Sequence, residues 1–144
     1  MFTALEALTD REPHQRDLAA AALGDLLRGT LPEPTARLLV GRLVSLTVNE
    51  PVTKVRESAL NSISEAFNHH SLPLDLVEPL ATAMPTMDGE LLAHVLYIFG
   101  ATHDTQAQPL IELYLDHPDP DVRAEAQLAA AEITATQQGP THNS

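Results

Sequence analysis

Pro118-Asp119-Pro120-Asp121-Val122-Arg123-Ala124-Glu125-Ala126 is the stretch on which the reading of the fold turns. A stiff acidic turn opens into a helix, and the same design stands earlier, where Asn49-Glu50-Pro51 leads to Val55-Arg56-Glu57-Ser58-Ala59-Leu60. Each copy has Val-Arg and then Ala four residues after the Val. Two further segments fit the frame: Gln15-Arg16 leads to Ala19 and Leu23-Gly24, and Leu91-Leu92 leads to Val95 and Phe99-Gly100. The aligned columns are Gln15/Val55/Leu91/Val122, Ala19/Ala59/Val95/Ala126 and Leu23/Ile63/Phe99/Ala130. Spacing of i, i+4 and i+8 puts each set on one helix face, the stripe a helix turns toward a core. Down the first column the units lie 40, 36 and 31 residues apart, the period of stacked helical hairpins.

Punctuation between these stripes predicts about eight helices in four consecutive pairs and no strand. They are expected over about 2–8, from Pro13 to Arg28, over 34–48, 51–68, 74–84, 88–100, 104–116 and 119–136. Pro51 is expected at a first helical position, where its missing N–H costs nothing. Pro79 is compatible with a helix only near its start or at a kink. Gly29 and Gly100 are expected to stop their helices, and Asp88, Asp104 and Asp119 to cap the next ones. Short connections predict antiparallel neighbours.

This pattern resembles the HEAT-repeat family, in its short bacterial form. The best copy runs from Gly100-Ala101-Thr102-His103-Asp104 through Pro109-Leu110-Ile111-Glu112-Leu113 to Asp119-Pro120-Asp121-Val122-Arg123 and Ala126. Leu92 departs from the pattern, standing where the other repeats have Arg, and the leading helix of the first repeat is short. The resemblance implies an all-α fold, a right-handed α-α superhelix or solenoid of HEAT-like hairpins. It implies one domain over 1–136, with repeats at about 1–29, 30–70, 71–101 and 102–136, and a disordered tail over 137–144. It further implies that the recurrent Arg16, Arg56 and Arg123 tie the stack by bonding turn carbonyls or neighbouring acids, work that suits the guanidinium fork.

Composition narrows the function classes. Apolar residues make up 44% of the 144, enough for a core, and aromatics only 3%, so the core is aliphatic. The chain has no cysteine, which excludes a disulfide framework, a thiolate zinc site and a cysteine nucleophile. No apolar run is long enough for a membrane span. Met1 to Asp10 does not read as a signal peptide, so a cytoplasmic location is expected. Residues 1–56 carry seven acids and seven bases, whereas 57–144 carry thirteen acids and Arg123 alone. Such a balance disfavours nucleic acid, which calls for clustered Lys and Arg. It suits solubility, or a surface that steers in a basic protein partner.

No phosphate-cradling Gly-rich loop, His-Glu-x-x-His or Gly-x-Ser-x-Gly stands in the chain. Its seven histidines show no metal-ligand spacing and read as solvated turn or surface residues. Asp116, Asp119 and Asp121 lack the Gly and distal Glu of a calcium loop. No catalytic residue, metal site or cofactor is therefore expected. In the HEAT family the second helix of each pair lines the concave side. Removing the core columns from those helices leaves Asp17, Glu57, Asn61, Glu90, His94, Tyr97, Asp121, Glu125 and Leu128 as the candidate partner-binding residues. The expected function is a non-catalytic protein-binding adaptor or inhibitor with an acidic concave face. The alternatives are an immunity-type protein neutralising a basic toxin domain and a self-associating structural subunit.

Overall fold

The computed structural model describes residues 2–138. It is all-helical, with no strand among the described residues. The helices are α1 (Phe2–Ala7), α2 (Pro13–Leu27), α3 (Glu33–Asn49), α4 (Thr53–His69), α5 (Leu74–Val77), α6 (Leu80–Ala83), α7 (Gly89–Ala101), α8 (Gln108–Glu112) and α9 (Pro120–Gln138). Single 3-10 turns span Met84–Thr86 and Thr105–Ala107. The chain divides into two compact units, residues 1–72 and 73–144.

In the first unit α2 and α4 run parallel, with α1 against α2 and α3 against α4. The parallel register follows from three ties. The Ser58 hydroxyl donates to the Asp17 carboxylate near the helix starts. Ser62 Oγ donates to the buried Ala20 carbonyl at 2.7 Å. At the far end the His70 ring nitrogen meets the Leu27 carbonyl at 2.9 Å, satisfying one of the carbonyls a helix end leaves open. Val55, Ala59 and Ile63 fill the interior as the column spacing predicts, beside Leu23, Leu27, Leu39 and Leu43. Gln15 does not: it is exposed at the start of α2.

Pro51 does not open α4. The chain stays extended through Glu50 and Val52, and the helix begins at Thr53. Across this extended stretch the buried Glu50 carboxylate takes both Arg16 and the Val52 N–H (3.0 Å).

In the second unit α7 and α9 are the parallel pair. Gly89 and Gly100 at the two ends of α7 face Asp119 and Val122 and then Ala129. Leu91, Val95, Phe99, Val122, Ala126 and Ile133 are buried, whereas Ala130, the last member of its column, is only half-buried. Asp88 caps α7, its Oδ1 accepting the Leu91 N–H at 3.0 Å. Asp119 Oδ1 takes the Asp121 N–H at 2.9 Å at the start of α9.

Two predicted helices are broken. The one expected over 74–84 splits into α5 and α6, because Pro79 has no N–H to donate and its ring crowds the carbonyl a turn earlier. The one expected over 104–116 is a 3-10 turn, the short α8 and then turns over 113–116. Pro109 fits only a first helical turn, and Tyr114 and Leu115 bond three residues back, to Ile111 and Glu112, rather than four. Gly100 does not stop its helix; α7 continues to Ala101, and the reversal is made by His103, whose φ of 55° is left-handed. Of the expected tail, Gln137 and Gln138 belong to α9, and 139–144 lie outside the described residues.

Candidate functional site

The recurrent arginines act as structural ties. Arg16 forms a fork with Glu50, Nε to Oε1 at 2.7 Å and Nη2 to Oε2 at 2.9 Å, and its Nη1 donates to the Asp10 and Arg11 carbonyls. Arg56 is buried and donates from Nε to the Thr47 carbonyl at the end of α3. Arg123 donates to the His117 and Pro118 carbonyls at 2.7 and 3.1 Å. Arg16 and Arg123 each stitch a turn to the helix that follows it, and Arg56 ties the last turn of α3 to α4.

Candidate contact residues divide between the two units. In residues 1–72, Asp17, Glu57 and Asn61 lie on α2 and α4. Asp17 is half-buried and held by Ser58, with Lys54 at 4.0 Å. Arg28 bridges Asp25 at 3.3 Å and Glu65 at 3.4 Å. Glu57 is half-exposed and Asn61 exposed. This face has its charges matched from within, and residues 1–72 as a whole hold nine acids against seven bases.

The face of α7 and α9 differs. Glu90, His94 and Tyr97 recur at helical spacing along α7, and Asp121, Glu125 and Leu128 stand at the matching positions of the parallel α9. Their order is acid with acid, His with Glu, then two apolar groups. Tyr97 is 41% and Leu128 65% exposed, while Glu90 and Asp121 are open to water. Burial pushes the Glu125 carboxyl above its ordinary value, and the nearby His94 pulls it part of the way back. Residues 73–144 contain eleven acids and a single base, Arg123, which the turn carbonyls already occupy.

A raised carboxyl pKa means that ionised Glu125 works against folding, and that the cost disappears as pH falls through the raised value. Glu125→Gln is therefore expected to be more stable than the parent at neutral pH. Urea unfolding over a pH series should show the two converging in acid; a constant gap would remove the charge as its cause.

Three of the histidines make hydrogen bonds, while His14, His69 and His103 are exposed as their positions suggested. His70 meets the Leu27 carbonyl, His103 Nε2 lies 2.9 Å from Glu132 Oε1, and His117 Nδ1 accepts the Asp119 N–H at 3.1 Å. Their partners are 43, 29 and two residues away, and only the last is within reach of local pattern. No group of three or more His, Asp or Glu that could hold a metal occurs among the described residues. No helix there is long and apolar enough to cross a membrane.

Sequence reading missed a hollow of about 640 Å³ in the first unit. Arg42, Ser45, Leu46 and Asn49 of α3 line it at i, i+3, i+4 and i+7, facing Leu5 and Leu8. That spacing was a visible signal: a helix stripe of three polar residues and one leucine.

No family model matches the chain. Over 89 residues it is 33% identical to the Hsp70 nucleotide exchange factor FES1 of Coccidioides immitis (strain RS), covering 60% of this chain and 42% of that one. The chain thus spans under half the length of this curated relative. The crystal structure of an engineered protein from the Northeast Structural Genomics Consortium superposes with a TM-score of 0.69 at 17% identity, over 92% of this chain and 62% of the engineered one. That likeness shows the fold, an all-helical arrangement consistent with an α-solenoid-like helical repeat.

Proposed function

We propose that this chain is a non-catalytic, HEAT-like protein-binding adaptor that engages its partner through the α7/α9 face, and that the partner is an Hsp70-class chaperone. The 89-residue likeness to an Hsp70 nucleotide exchange factor carries the choice of partner. The choice of face rests on chemistry. Tyr97 and Leu128 offer apolar area with few rotamers to freeze, the kind of group that anchors interfaces. Glu90 and Asp121 add an uncompensated negative field that would raise the association rate with a basic surface and weaken in salt. The α2/α4 face offers less, because Lys54 and Arg28 already answer its acids.

Binding of the full chain to purified Hsp70, by interferometry at low and high salt, tests both parts of the reading. Release of a fluorescent ADP analogue from the chaperone reports any exchange activity. Glu90→Lys/Asp121→Lys is expected to weaken binding about tenfold at low salt and to flatten its salt dependence. Tyr97→Ala should weaken it at all salt concentrations. Hsp70 binding that survives all three substitutions would refute the face, and no binding by the parent chain would refute the chaperone. In the second case a concentration-dependent shift on a sizing column would favour the self-associating subunit.

A further inference from the structure

The hollow between α1 and α3 has walls of two kinds. Leu5, Leu8 and Leu46 are apolar. Arg16 and Glu50 are locked to each other, with side chains 14% and 1% exposed, so that wall is rigid. Asp10 is within electrostatic reach of Arg16. Three groups remain uncommitted. Arg42 is exposed and has no acid within ion-pair distance among the described residues. The Ser45 hydroxyl has no hydrogen-bond partner among the described residues. Asn49 donates its amide N–H to the Ser45 carbonyl at 2.9 Å, which leaves its amide oxygen as an open acceptor. The volume of about 640 Å³ falls within the range of ligand sites.

We infer that this hollow is a binding site for the carboxy-terminal residue of an apolar peptide. The terminal carboxylate fits the Arg42 fork and the Ser45 hydroxyl, both donors. The apolar side chain fits Leu5, Leu8 and Leu46. The backbone N–H of the same residue fits the Asn49 amide oxygen. A fatty acid would satisfy the first two demands and make no use of the Asn49 acceptor. This site lies within residues 1–72 and is independent of the α7/α9 face.

The probe is a hexapeptide, a Gly-Ser spacer ending in two leucines with fluorescein at its amino end, titrated with the full chain by fluorescence polarisation. The free-acid peptide is expected to saturate. Its carboxy-amide should bind about tenfold more weakly, the loss expected when a charge-assisted contact is removed. Arg42→Gln should weaken the acid about tenfold and leave the amide unchanged, with unaltered helicity by circular dichroism because Arg42 is exposed. Equal affinity of acid and amide, or an acid affinity indifferent to Arg42→Gln, overturns the inference. So does no binding of the acid at millimolar concentration, or saturation by decanoate in place of the peptide.

Discussion

Arg16→Met is expected to unfold residues 1–72 at markedly lower urea than the parent chain. Glu50 carries the reason. Its side chain is 1% exposed, and it is ionised only because Arg16 forks onto it at 2.7 and 2.9 Å with the Val52 N–H beside them. Burial by itself pushes its pKa up; the Arg16 hydrogen bonds, the Val52 N–H and the charges of Arg16 and Arg56 outweigh it and hold the carboxyl below its ordinary 4.5. Without Arg16 the charge is buried and unpaired, which costs Glu50 about 3 kcal/mol, the low end of the range because water reaches the edge of the pair. The pH response supplies a second signature. A depressed carboxyl pKa contributes stability that is present above 4.5 and lost as pH falls through the lower folded value. In Arg16→Met burial is opposed only by the Val52 N–H and the Arg56 charge, the pKa rises, and acid should relieve the cost instead of adding to it. Arg16→Met/Glu50→Leu should recover most of the loss, since a buried pair exchanged for packed apolar groups is often neutral. An Arg16→Met chain as stable as the parent, with the parent's acid response, would show the fork to be ornamental.

What could be read from the sequence follows from distance along the chain. Val55, Ala59 and Ile63 announce their burial by spacing alone, and the same spacing found Leu91, Val95 and Phe99. Pro79 announced a kink at most, not that it would leave two separate four-residue helices. Glu50 was legible only as a turn residue, because Arg16 lies 34 positions away and no local pattern marks an acid for burial. The candidate surface was partly legible for the same reason. Helical spacing correctly put Glu90, Asp121, Tyr97 and Leu128 in water. It could not tell that Asp17 would be taken by Ser58 from a helix 41 residues on, nor that Glu125 would be half-buried beside His94. Arg42, Ser45 and Asn49 show a gap of another kind. Their stripe was in plain view, but its spacing does not show that Leu5 and Leu8 stand across a hollow from it.

Gly100→Ala is expected to destabilise residues 73–138 even though Ala exceeds Gly in helix propensity by about 1 kcal/mol. Gly100 had looked like a helix stop, the commonest reason for a Gly near a helix end. Its place in the repeat says more. It follows Phe99 as Gly24 follows Leu23 in the same column, and in each case the next parallel helix crosses there. A Cβ on Gly100 would stand 2.9 Å from Ala129 Cα and 3.2 Å from its carbonyl oxygen, so α9 itself would have to move. A Cβ on Gly24 would instead strike first the Ser62 hydroxyl that bonds the Ala20 carbonyl. Both exchanges overpack a crossing and should cost about 1–3 kcal/mol in urea unfolding, and Gly100→Val more. They should differ in rescue. Ser62→Ala removes the first atom Gly24→Ala meets and should restore part of its stability, a coupling that a double-mutant cycle reads directly. Trimming Ala129 to Gly leaves the backbone atoms in place and should rescue Gly100→Ala much less. Gly29→Ala, with only the Leu26 carbonyl at 3.5 Å, is the control expected to be neutral or slightly stabilising. If Gly100→Ala matches Gly29→Ala, α7 and α9 do not cross at Gly100, and the register that aligns Glu90, His94 and Tyr97 with Asp121, Glu125 and Leu128 fails with it.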